Sequence, residues 1–417
     1  MKISIIGGGV VGVINAYFLA KNGFEVSLFE RSKNVAQEAS FGTFDLIGPA
    51  SLNLELSNKS LKKLLPMLLK VDSSIFLNSY FDINSLIWIL RMLKYSSSLS
   101  FLNDLSEFHK LASYSKKLSD EIDLKNDLSY QQKKGLLIIF RSIKDYENIY
   151  SIMEYLSKYN FDHRLINKKE LITMEPSLRY NDNIHAAIFV PEDTIGNCPL
   201  YVRQIKELCL NLGVKFFFDN EVYSITPNLE NIIIKLKKNI FKTDKVVITA
   251  GSESIKLLKN IGINIPNYPI KIYSASSMIQ NFDHAPQFSI YDFKNNLSVT
   301  RLDKRIKISG FREFGSNNLN INPKVKNKII FEAQSFFPRC CNYSSANFWS
   351  SSINFLPSIN PIVSKTKYPN LFVNFGHGIN AWSLACGSAK LILDMILKKK
   401  TELSVENFSI NRFKKPI

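Results

Sequence analysis

The sequence predicts an α/β fold in which a mostly parallel sheet is interrupted by an inserted domain built on an antiparallel sheet. Three observations support this fold class: a glycine-rich turn after an apolar run at the N-terminus, later apolar runs that also lead into glycines, and alternating polar and apolar residues between positions 268 and 350. Short apolar runs are typical of buried parallel strands, whereas alternation is typical of antiparallel strands. The 417 residues are enough for two domains.

The first apolar run, Ile3–Ile6, leads directly into a G-x-G-x-x-G motif at Gly7, Gly9 and Gly12. Each glycine has its own task in a dinucleotide-binding turn. Gly7 allows the tight turn out of the strand, Gly9 lets the backbone approach a pyrophosphate, and Gly12 lets the following helix pack closely on the sheet. The N-terminus of that helix offers N–H groups and the positive end of its dipole to the phosphates.

A helix and a second strand follow this turn. We expect Val10–Lys21 to be helical and Glu25–Phe29 to be the strand, and Glu30 ends that strand 18 residues after Gly12. A carboxylate at this position accepts hydrogen bonds from the ribose hydroxyls of an adenosine. The complete pattern predicts a Rossmann-type dinucleotide site. These residues do not choose between FAD and NAD, because both cofactors contain the same ADP half.

The remaining chain mixes predicted helices and strands. Residues 51–130 are expected to be mostly helical, with apolar residues three and four apart in Leu61–Leu69, Leu86–Leu93 and Leu105–Ile122. We interpret the apolar stretch at 86–90 as core-facing, with contact with a membrane surface as the alternative. Helices are also expected at Pro199–Leu212 and Trp382–Lys398. The expected strands are Gly135–Phe140, Ala186–Val190 (followed by a turn at Pro191–Asp193), Val214–Phe218, Val222–Ile225, Asn231–Leu236, Lys245–Thr249, Leu297–Arg301, Arg305–Ser309 and Asn370–Phe375.

The nucleotide-binding pieces lie at the beginning, in the middle and at the end of the chain. We therefore predict that residues 1–80, 196–256 and 357–417 form a discontinuous nucleotide-binding domain. Residues 81–195 and 257–356 are then the substrate, or cap, domain.

The net charge of +17 has two explanations. One is drift towards a Lys- and Asn-rich composition, which we prefer, and the other is attraction to an anionic membrane surface. No RNA-recognition or helix-turn-helix signature is present, so a nucleic-acid partner is not expected. The five cysteines form no C-x-x-C pair, so neither a disulfide framework nor a metal site is predicted. We expect a cytoplasmic protein, with a peripheral contact at the inner face of the plasma membrane as an open alternative.

Several segments resemble those of a known family. They are Gly9–Val13, Pro191–Cys198, Tyr268–Lys271, Thr300–Arg305, Phe348–Trp349, Gly376–Trp382 and Ala385–Ser388. In this order and spacing the chain resembles the small subunit of bacterial D-amino-acid dehydrogenase, in the FAD-dependent D-amino-acid oxidase superfamily. The similarity runs almost from end to end.

The resemblance implies FAD as cofactor and a small D-amino acid such as D-alanine as substrate. The implied reaction gives a 2-oxo acid and ammonia, with electrons passed to a respiratory quinone or another electron-transfer partner. Two alternatives stay open: an amine or glycine-type oxidoreductase of the same superfamily, or a degenerate flavin-binding subunit without turnover. The cofactor-binding residues implied are Gly7, Gly9, Val10, Val11, Gly12, Glu30, Arg31, Val222, Ala250, Gly251, Gly376, Gly378 and Ile379. The catalytic candidates are Lys271, Tyr273, Arg301 and His377.

The chain departs from the family pattern where a substrate carboxylate is expected to bind. The family stretch G-x-R-P-x-x-P-D-G-x-P corresponds to Ser351–Pro361, with Ile353 in place of the arginine and Ser358 in place of the aspartate. The planar fork of an arginine binds a carboxylate through two hydrogen bonds, which isoleucine cannot replace. Arg301 and Lys271 are therefore the candidate anchors.

Three further departures lie near the expected flavin. Thr43–Asp45 occupies the position of an Asn-Ala-Gly triplet and introduces a negative charge. Ile272 replaces the glycine after the lysine of the Pro-x-Lys motif, and Ala381 replaces a glycine before Trp382.

Overall fold

Three β-sheets and ten α-helices make up the part of the chain that the computed structural model describes, which is residues 1–42, 45–50, 52, 75–77, 83–96, 99–141, 146–315 and 318–413. The strands are β1 (Lys2–Ile6), β2 (Glu25–Phe29), β3 (Ile75–Leu77), β4 (Lys133–Phe140), β5 (Arg164–Asn167), β6 (Ala186–Ile195), β7 (Lys215–Phe217), β8 (Val222–Pro227), β9 (Ile232–Leu236), β10 (Ile240–Thr243), β11 (Lys245–Ile248), β12 (Tyr268–Met278), β13 (Ser289–Asp292), β14 (Leu297–Leu302), β15 (Arg305–Phe314), β16 (Asn347–Phe355), β17 (Ile362–Lys365) and β18 (Leu371–Phe375). The helices are α1 (Val10–Lys21), α2 (Ala39–Gly42), α3 (Ile83–Ser96), α4 (Leu99–Asn126), α5 (Tyr146–Lys158), α6 (Lys168–Met174), α7 (Cys198–Asn211), α8 (Glu253–Lys259), α9 (Pro323–Phe336) and α10 (Ala381–Leu397).

The first sheet has six strands in the order β17-β18-β11-β1-β2-β7. All of its neighbouring strands are parallel except the β17–β18 pair. On one face its apolar side chains form a continuous core with α1, α4, α7 and α10. On the other face they pack against β8, β9 and α8. This is the Rossmann-type sheet that the sequence predicts, and the observed bounds of α1 and β2 equal the predicted ones. A separate three-stranded sheet, β10-β9-β8, is antiparallel.

The second large sheet has the order β16-β12-β15-β14-β13-β4-β6-β5, with β3 paired to β15. The predicted antiparallel sheet is present, but it is mixed, because the β13–β4 and β15–β3 pairs are parallel. Helix α9 interrupts the region where only alternation was expected. The side chains of Val325, Ile329 and Phe336 are buried, and Pro323 follows the capping residue Asn322. These are ordinary helix signals that the alternation of the neighbouring strands obscured.

The predicted turn at Pro191–Asp193 is wrong, because β6 continues through it to Ile195. The pairing of β6 with β4 shifts register here: Val190 lies opposite Leu136, whereas Thr194 lies opposite Lys134. Residues 191–193 therefore form a bulge, which suits a proline because it has no N–H to donate to the ladder.

The predicted helices at Leu86–Leu93 and Leu105–Ile122 are confirmed within α3 and α4, but β3 lies before them in the same stretch. The predicted helix at Leu61–Leu69 lies outside the described residues.

The two large sheets draw on different parts of the chain. Strands of the first sheet lie within residues 2–29, 215–217, 245–248 and 362–375, and strands of the second within 75–77, 133–195 and 268–355. Helix α4 contributes Phe108 and Leu111 to the core of the first sheet. The division into a nucleotide-binding domain and a substrate domain, with the boundaries given above, stays a prediction.

Candidate active site

A cleft follows the carboxyl ends of β1, β2, β11 and β18. Ile6, Phe29, Thr249 and Phe375, at or next to these ends, line it, and it holds about 1360 Å³ of empty space, part of it open to solvent. Ligands of open α/β sheets bind at the carboxyl ends of the strands.

The turn between β1 and α1 has room for glycine only. Gly7 has φ +109°, and a β-carbon there would lie 2.7 Å from the carbonyl oxygen of Thr249. A β-carbon on Gly12 would lie 1.9 Å from the carbonyl oxygen of Gly7. The bare backbone therefore holds the strand, the turn and the helix together and leaves the N-terminal end of α1 at the cleft wall.

Glu30 is held by the backbone on both of its carboxylate oxygens. The N–H of Gly8 donates to Oε2 at 2.6 Å, and the N–H of Ser32 donates to Oε1 at 2.7 Å. A carboxylate has about four acceptor positions, so hydroxyl groups of a ligand can still bind. Next to this acid, Ser40 Oγ accepts a hydrogen bond from the N–H of Val10 at 3.0 Å. The first turn of α1 is thereby fixed to the segment after β2.

Gly376, His377 and Gly378 connect β18 to α10 at the other end of the cleft. His377 is buried, its Nε2 lies 3.2 Å from Ser388 Oγ, and burial lowers the pKa of its imidazole to about 3. Ser388 also donates to the carbonyl oxygen of Ala385 at 3.1 Å. Since a hydroxyl has one proton, His377 is the donor to Ser388. The ring is neutral at any physiological pH and is turned towards the helix.

Most of the predicted cofactor-binding residues meet at this cleft. Those that line it are Gly7, Gly9, Val10, Val11, Glu30, Arg31, Val222, Ala250, Gly251, Gly376 and Gly378, and the catalytic candidate His377 lines it too. Gly12 and Ile379 are not among the described lining residues. Gly12 lies against the backbone of the β1–α1 turn, and the side chain of Ile379 packs against the core around β4 and β6.

Arg31 lines the cleft as a member of an ion-pair cluster. Its guanidinium binds both oxygens of Glu38, at 2.5 and 2.7 Å, and lies 3.6 Å from Glu253. The hydrogen bond to Glu38, opposed by partial burial, raises the pKa of Arg31 above its ordinary value.

Several lining residues have no signal in the sequence. Ser40, Thr249 and Asn374 come from segments far apart in the chain, and only folding brings them together with Ser352–Asn354, which belong to the stretch already compared with the family pattern. Asn354 Nδ2, for example, donates to the carbonyl oxygen of Gly251 at 3.0 Å. This bond connects the edge strand of the second sheet to the nucleotide-side turn.

Strand register divides the side chains of the second sheet between two faces, because alternate residues of a strand point to opposite sides. Ile272 lies opposite Ser351 on one side and opposite Arg312 on the other, so these three side chains share a face. Ile353, two residues along β16 from Ser351, shares it as well and lines the cleft. We call this the cleft-side face.

Lys271 lies opposite Glu313 and Ser352, so its side chain belongs to the other face of the sheet. Tyr273, in phase with Lys271, is buried in one cluster with Val325 of α9. We call this the α9-side face. The predicted catalytic residues Lys271 and Tyr273 therefore lie on the side of the sheet that faces away from the cleft, and neither lines it.

A buried network occupies both of these residues. Lys271 Nζ lies 3.4 Å from Glu313 Oε2 and donates to the carbonyl oxygen of Asn320. Tyr273 donates to the same glutamate, and Asn322 Nδ2 donates to its Oε1 at 3.0 Å. Burial, followed by the bond to Glu313, raises the pKa of Tyr273. Lys271 is thus already paired with an acid and cannot serve as the anchor that was predicted.

Arg301 is also far from the cleft. It lies opposite Ile306 near the β14–β15 turn, whereas Arg312 is six residues further along β15, about 20 Å away at 3.3 Å per residue. Its Nε donates to the carbonyl oxygen of Asp303 at 3.1 Å, and its guanidinium lies 5.1 Å from the centre of the Phe282 ring. The two predicted carboxylate anchors, Arg301 and Lys271, therefore both lie away from the cleft.

The unexpected acid Asp45 is neutralised by a lysine of the cleft-side face. Lys307, opposite Ser276 on β12, donates to Asp45 Oδ1 at 2.8 Å and to the carbonyl oxygen of Phe41 at 2.9 Å. Both charges are buried, and desolvation raises the pKa of the Asp45 carboxyl against the opposing effect of Lys307. The other two residues of the Thr43–Asp45 triplet lie outside the described part of the chain.

The remaining departures from the family pattern are accommodated locally. Ile272 is buried on the cleft-side face, and Ala381 lines the cleft as the first residue of α10. Ser358 Oγ accepts a hydrogen bond from Arg412 Nη2 at 3.1 Å, and the same arginine binds the carbonyl oxygen of Asn360 at 2.6 Å. A C-terminal arginine therefore holds the turn where the family has an aspartate.

Comparison with known proteins identifies the family. Residues 2–395 match the family described as DAO, FAD dependent oxidoreductase. The chain belongs to this family. A D-amino acid dehydrogenase of Neisseria meningitidis serogroup C is 29% identical and covers 99% of this chain and 100% of its own length.

Solved structures of other proteins have the same fold. Glycine oxidase from Geobacillus kaustophilus has a TM-score of 0.76 at 18% identity, with 98% of each chain covered. L-amino acid deaminase from Proteus myxofaciens, solved in complex with anthranilate, has a TM-score of 0.72 at 16% identity, with 99% of this chain and 93% of the other covered. At this level of identity the likeness concerns the fold.

FAD is the cofactor of this DAO-family chain. The chain's own residues fit it, because a glycine-lined turn too tight for β-carbons faces the cleft together with two helix N-termini and an acid at the end of β2. A pyrophosphate, an adenosine ribose and an anionic flavin edge have the charges and hydrogen-bonding groups that these features bind.

Proposed function

We propose that this chain oxidises D-amino acids to 2-oxo acids and ammonia, using FAD. The observation that carries the proposal is the convergence of three separate chain segments on one cleft, in a chain whose D-amino acid dehydrogenase relatives align with it over their full length. D-Alanine, or a neutral amino acid of similar size, is the proposed substrate.

In this proposal the residues of the cleft would hold FAD. The first turn of α1 would bind the pyrophosphate, and Glu30 would bind the adenosine ribose. Val222 would contact the adenine through its backbone, and Arg31 would close this end of the cleft. Gly251 and the Gly376–Gly378 turn would support the flavin, and the positive end of the α10 dipole would stabilise negative charge on it.

In the proposed reaction the main task of the chain is to position the reactants. Bound FAD would supply the acceptor for a hydride from Cα of the substrate. The nitrogen lone pair then forms the C=N bond, one N–H proton is released, and water converts the imine to a 2-oxo acid and ammonia. Because no side chain has to form a covalent bond, orientation of the Cα–H bond and exclusion of water supply most of the rate enhancement. The imidazole of His377 is neutral and is suited to packing beside the flavin ring, not to accepting the proton that the amine releases.

A turnover assay tests this function. Purified holoenzyme is mixed with single D- and L-amino acids and a soluble quinone analogue, and the 2-oxo acid, ammonia and reduced quinone are measured. We expect equal amounts of all three products with D-alanine and none with L-alanine. Turnover of glycine or of L-amino acids instead would favour an amine or glycine-type oxidoreductase, and binding of FAD without any turnover would favour a degenerate subunit. Peroxide in place of reduced quinone would contradict the dehydrogenase assignment.

We also propose that a membrane quinone is the electron acceptor and that α3 contacts the membrane surface. Leu86, Ile87 and Leu90 are exposed, and Arg91 and Lys94 lie on the same arc of the helix. An amphipathic helix with basic residues binds an anionic bilayer through its apolar side chains and its charges. No helix among the described residues is long and apolar enough to cross a bilayer.

Sedimentation with lipid vesicles tests this contact. We expect the protein to bind vesicles that contain anionic lipid, and a Leu86→Ser/Leu90→Ser variant to lose binding while it keeps its FAD. Leu124 and Leu229 are exposed elsewhere in the protein, so Leu124→Ser/Leu229→Ser is the matched control. Equal binding of all three proteins would contradict the role of α3.

A further inference from the structure

Two adjacent cysteines in the segment between α9 and β16 form a close pair of thiols. We propose that Cys340 and Cys341 are a modification site at which a hydroperoxide forms a reversible disulfide, with Cys341 as the attacking thiol and Cys340 as the resolving one. Neither residue is among the described residues that line the cleft, so this inference does not rest on the proposed function. It adds a reaction of the chain's own thiols to the one proposed at the flavin.

The two thiols lie close enough to react with each other. Their sulfur atoms are 3.5 Å apart. A disulfide bond measures about 2.05 Å, and rotation of the two side chains about their Cα–Cβ bonds can close the difference. All five cysteines lie in the described part of the chain and all are free, and Cys340 and Cys341 are the only two whose sulfur atoms are within hydrogen-bonding distance of each other.

The backbone of the pair is fixed to the end of β12. The carbonyl oxygen of Cys340 accepts hydrogen bonds from the N–H groups of Gln280 at 2.9 Å and Asn281 at 3.2 Å. Cys341 forms an isolated bridge with Ile279. Because both backbones are held by the same strand end, the contact between the sulfur atoms is a fixed feature of the fold.

The surroundings give the two thiols different roles. Cys340 has no exposed surface, whereas 8% of the surface of Cys341 is exposed, so a small oxidant reaches Cys341 first. When Cys341 ionises, the S–H of Cys340 donates a hydrogen bond to its sulfur, and this bond lowers the pKa of the Cys341 thiol. The same bond, followed by burial, raises the pKa of Cys340. The thiolate is the nucleophilic form, so Cys341 is the attacking thiol.

A nearby cation favours negative charge at the pair. The positive charge of Arg301 opposes the effects of the hydrogen bond and of burial on the pKa of Cys340. The guanidinium lies 5.1 Å from the centre of the Phe282 ring, and its Nε donates to the carbonyl oxygen of Asp303 at 3.1 Å. Cysteines that oxidise readily commonly have such a cationic neighbour and a second cysteine beside them.

The reaction has two balanced steps. In the first, the Cys341 thiolate attacks one oxygen of the hydroperoxide: the S–O bond forms, the O–O bond breaks, and the leaving oxygen takes a proton to give water or an alcohol. The sulfur loses two electrons and becomes a sulfenic acid. In the second step, the sulfur of Cys340 attacks the sulfur of Cys341. The S–S bond forms, the S–O bond breaks, and the proton of Cys340 leaves with the hydroxide as water.

The resulting disulfide is easily reduced because the two residues are adjacent. Neighbouring Cα atoms are about 3.8 Å apart, closer than the roughly 4.4–6.8 Å of ordinary disulfides, so the ring that closes is strained. Strained disulfides have more oxidising potentials and are the labile ones. The oxidised pair therefore returns to two thiols when a reducing thiol is supplied.

Alkylation of the thiols that remain after treatment of the holoenzyme with hydrogen peroxide tests the site. Trypsin cleaves after Arg339 and Lys365, so the fragment 340–365 contains both thiols and no other cysteine or methionine. We expect this fragment to lose about 2 Da and its two alkylation sites, at least about tenfold faster than the other cysteines are oxidised. Dithiothreitol should restore both thiols, and the flavin absorbance should not change. The other cysteines are the internal control, because burial raises the pKa of each of them, namely Cys198, Cys209 and Cys386.

Single substitutions separate the roles of the two thiols. In Cys340→Ser the sulfenic acid of Cys341 has no resolving partner, so dimedone should trap it. In Cys341→Ser the buried Cys340 should stay reduced. Phenylarsine oxide, which binds two neighbouring thiols, should bind the reduced unmodified protein and neither serine variant. Cys209→Ala is the matched control, since the sulfur of Cys209 lies 3.7 Å from the carbonyl oxygen of Val13, and it should form the disulfide as the unmodified protein does.

Each outcome decides the proposal. Oxidation of the fragment 340–365 no faster than that of the other three cysteines would overturn it, as would sulfinic or sulfonic acid in this fragment without a disulfide. A disulfide between two chains, seen as a dimer in the absence of reductant, would overturn the pairing. If a serine variant does not fold, the fragment from the unmodified protein still decides. Failure of D-amino acids to reduce the flavin would remove the proposed function and leave the result for the thiols standing.

Discussion

The Glu30 carboxylate shows how a single side chain can order a binding site. It accepts hydrogen bonds from the N–H groups of Gly8 and Ser32, which lie in different turns, and thereby ties the turn after β1 to the turn after β2. A ligand that binds the same carboxylate finds it already oriented, so little conformational entropy is lost on binding.

We expect Glu30→Gln to weaken the binding of FAD roughly 10- to 100-fold, because a charge-assisted hydrogen bond contributes about 1.5–3 kcal/mol. In addition, the NH2 group of the new glutamine cannot accept a hydrogen bond, so one of the two backbone N–H groups loses its acceptor. Titration of the apoprotein with FAD, followed by flavin fluorescence, measures the change. Glu25→Gln at the start of the same strand is the control, since Glu25 is exposed and lies 3.4 Å from Lys215. Equal affinity of the two variants would contradict the role of Glu30.

The buried His377 makes stability depend on pH. Its pKa is lowered from 6.5 to about 3 by burial, so below pH 6.5 the unfolded chain binds a proton that the folded chain does not. The contribution of His377 to the free energy of unfolding is therefore fully present above pH 6.5. It falls as the pH decreases towards 3, by up to about 1.4 kcal/mol per pH unit.

Urea unfolding at several pH values between 4 and 7 measures this dependence. We expect His377→Gln to have a smaller slope than the unmodified protein over this range, whatever its absolute stability. A slope that remains should come partly from His109, whose pKa burial lowers to about 4. Identical slopes in the two proteins would show that His377 does not stay neutral in the folded state.

The Asp45–Lys307 pair is a second buried charge system with a measurable consequence. Removing only the lysine, in Lys307→Met, leaves the Asp45 carboxylate buried without its counter-charge, which commonly costs about 3–5 kcal/mol. The double variant Asp45→Asn/Lys307→Met removes both charges and should recover a large part of that loss. Thermal or urea unfolding of the three proteins gives the values. If the double variant is less stable than the single one, the two charges do not form a compensating pair.

Helix α1 depends on close contact with the turn that precedes it. In Gly12→Ala the new β-carbon would lie 1.9 Å from the Gly7 carbonyl oxygen, so strand, turn and helix cannot keep their positions. We expect this variant to be recovered without FAD or as insoluble protein. Gly23→Ala, after the end of the same helix, has φ +81° but open space around the position and should cost only about 1 kcal/mol. A soluble, fully flavinated Gly12→Ala protein would contradict the packing role.

How much the sequence predicts differs between elements for physical reasons. The β1–α1–β2 unit is predicted to within a residue because glycine spacing and apolar periodicity are local signals. The face on which a strand residue lies depends on pairing and bulges, which are not local. Lys271 and Tyr273 were predicted next to the cleft, but the register turns both towards α9.

Both large sheets contribute residues to the cleft, and each contributes a different part of it. The first sheet brings its turns and helix N-termini to the cleft from four strand ends, and the second brings the edge strand β16, which is fixed by Asn354 to Gly251. A cofactor on one side and a substrate-recognition face on the other is the arrangement that the proposed reaction needs, since hydride transfer requires both to be held in one geometry.

Anaerobic mixing of the holoenzyme with D-alanine, followed through the absorbance band of the oxidised flavin, decides whether the protein oxidises D-amino acids. We expect the band to be lost within a single turnover, L-alanine to leave it unchanged, and pyruvate and ammonia to appear in amounts equal to the flavin reduced. A yellow protein whose band persists with every D-amino acid, although dithionite reduces it, would contradict the proposed activity while leaving the fold and the cofactor in place.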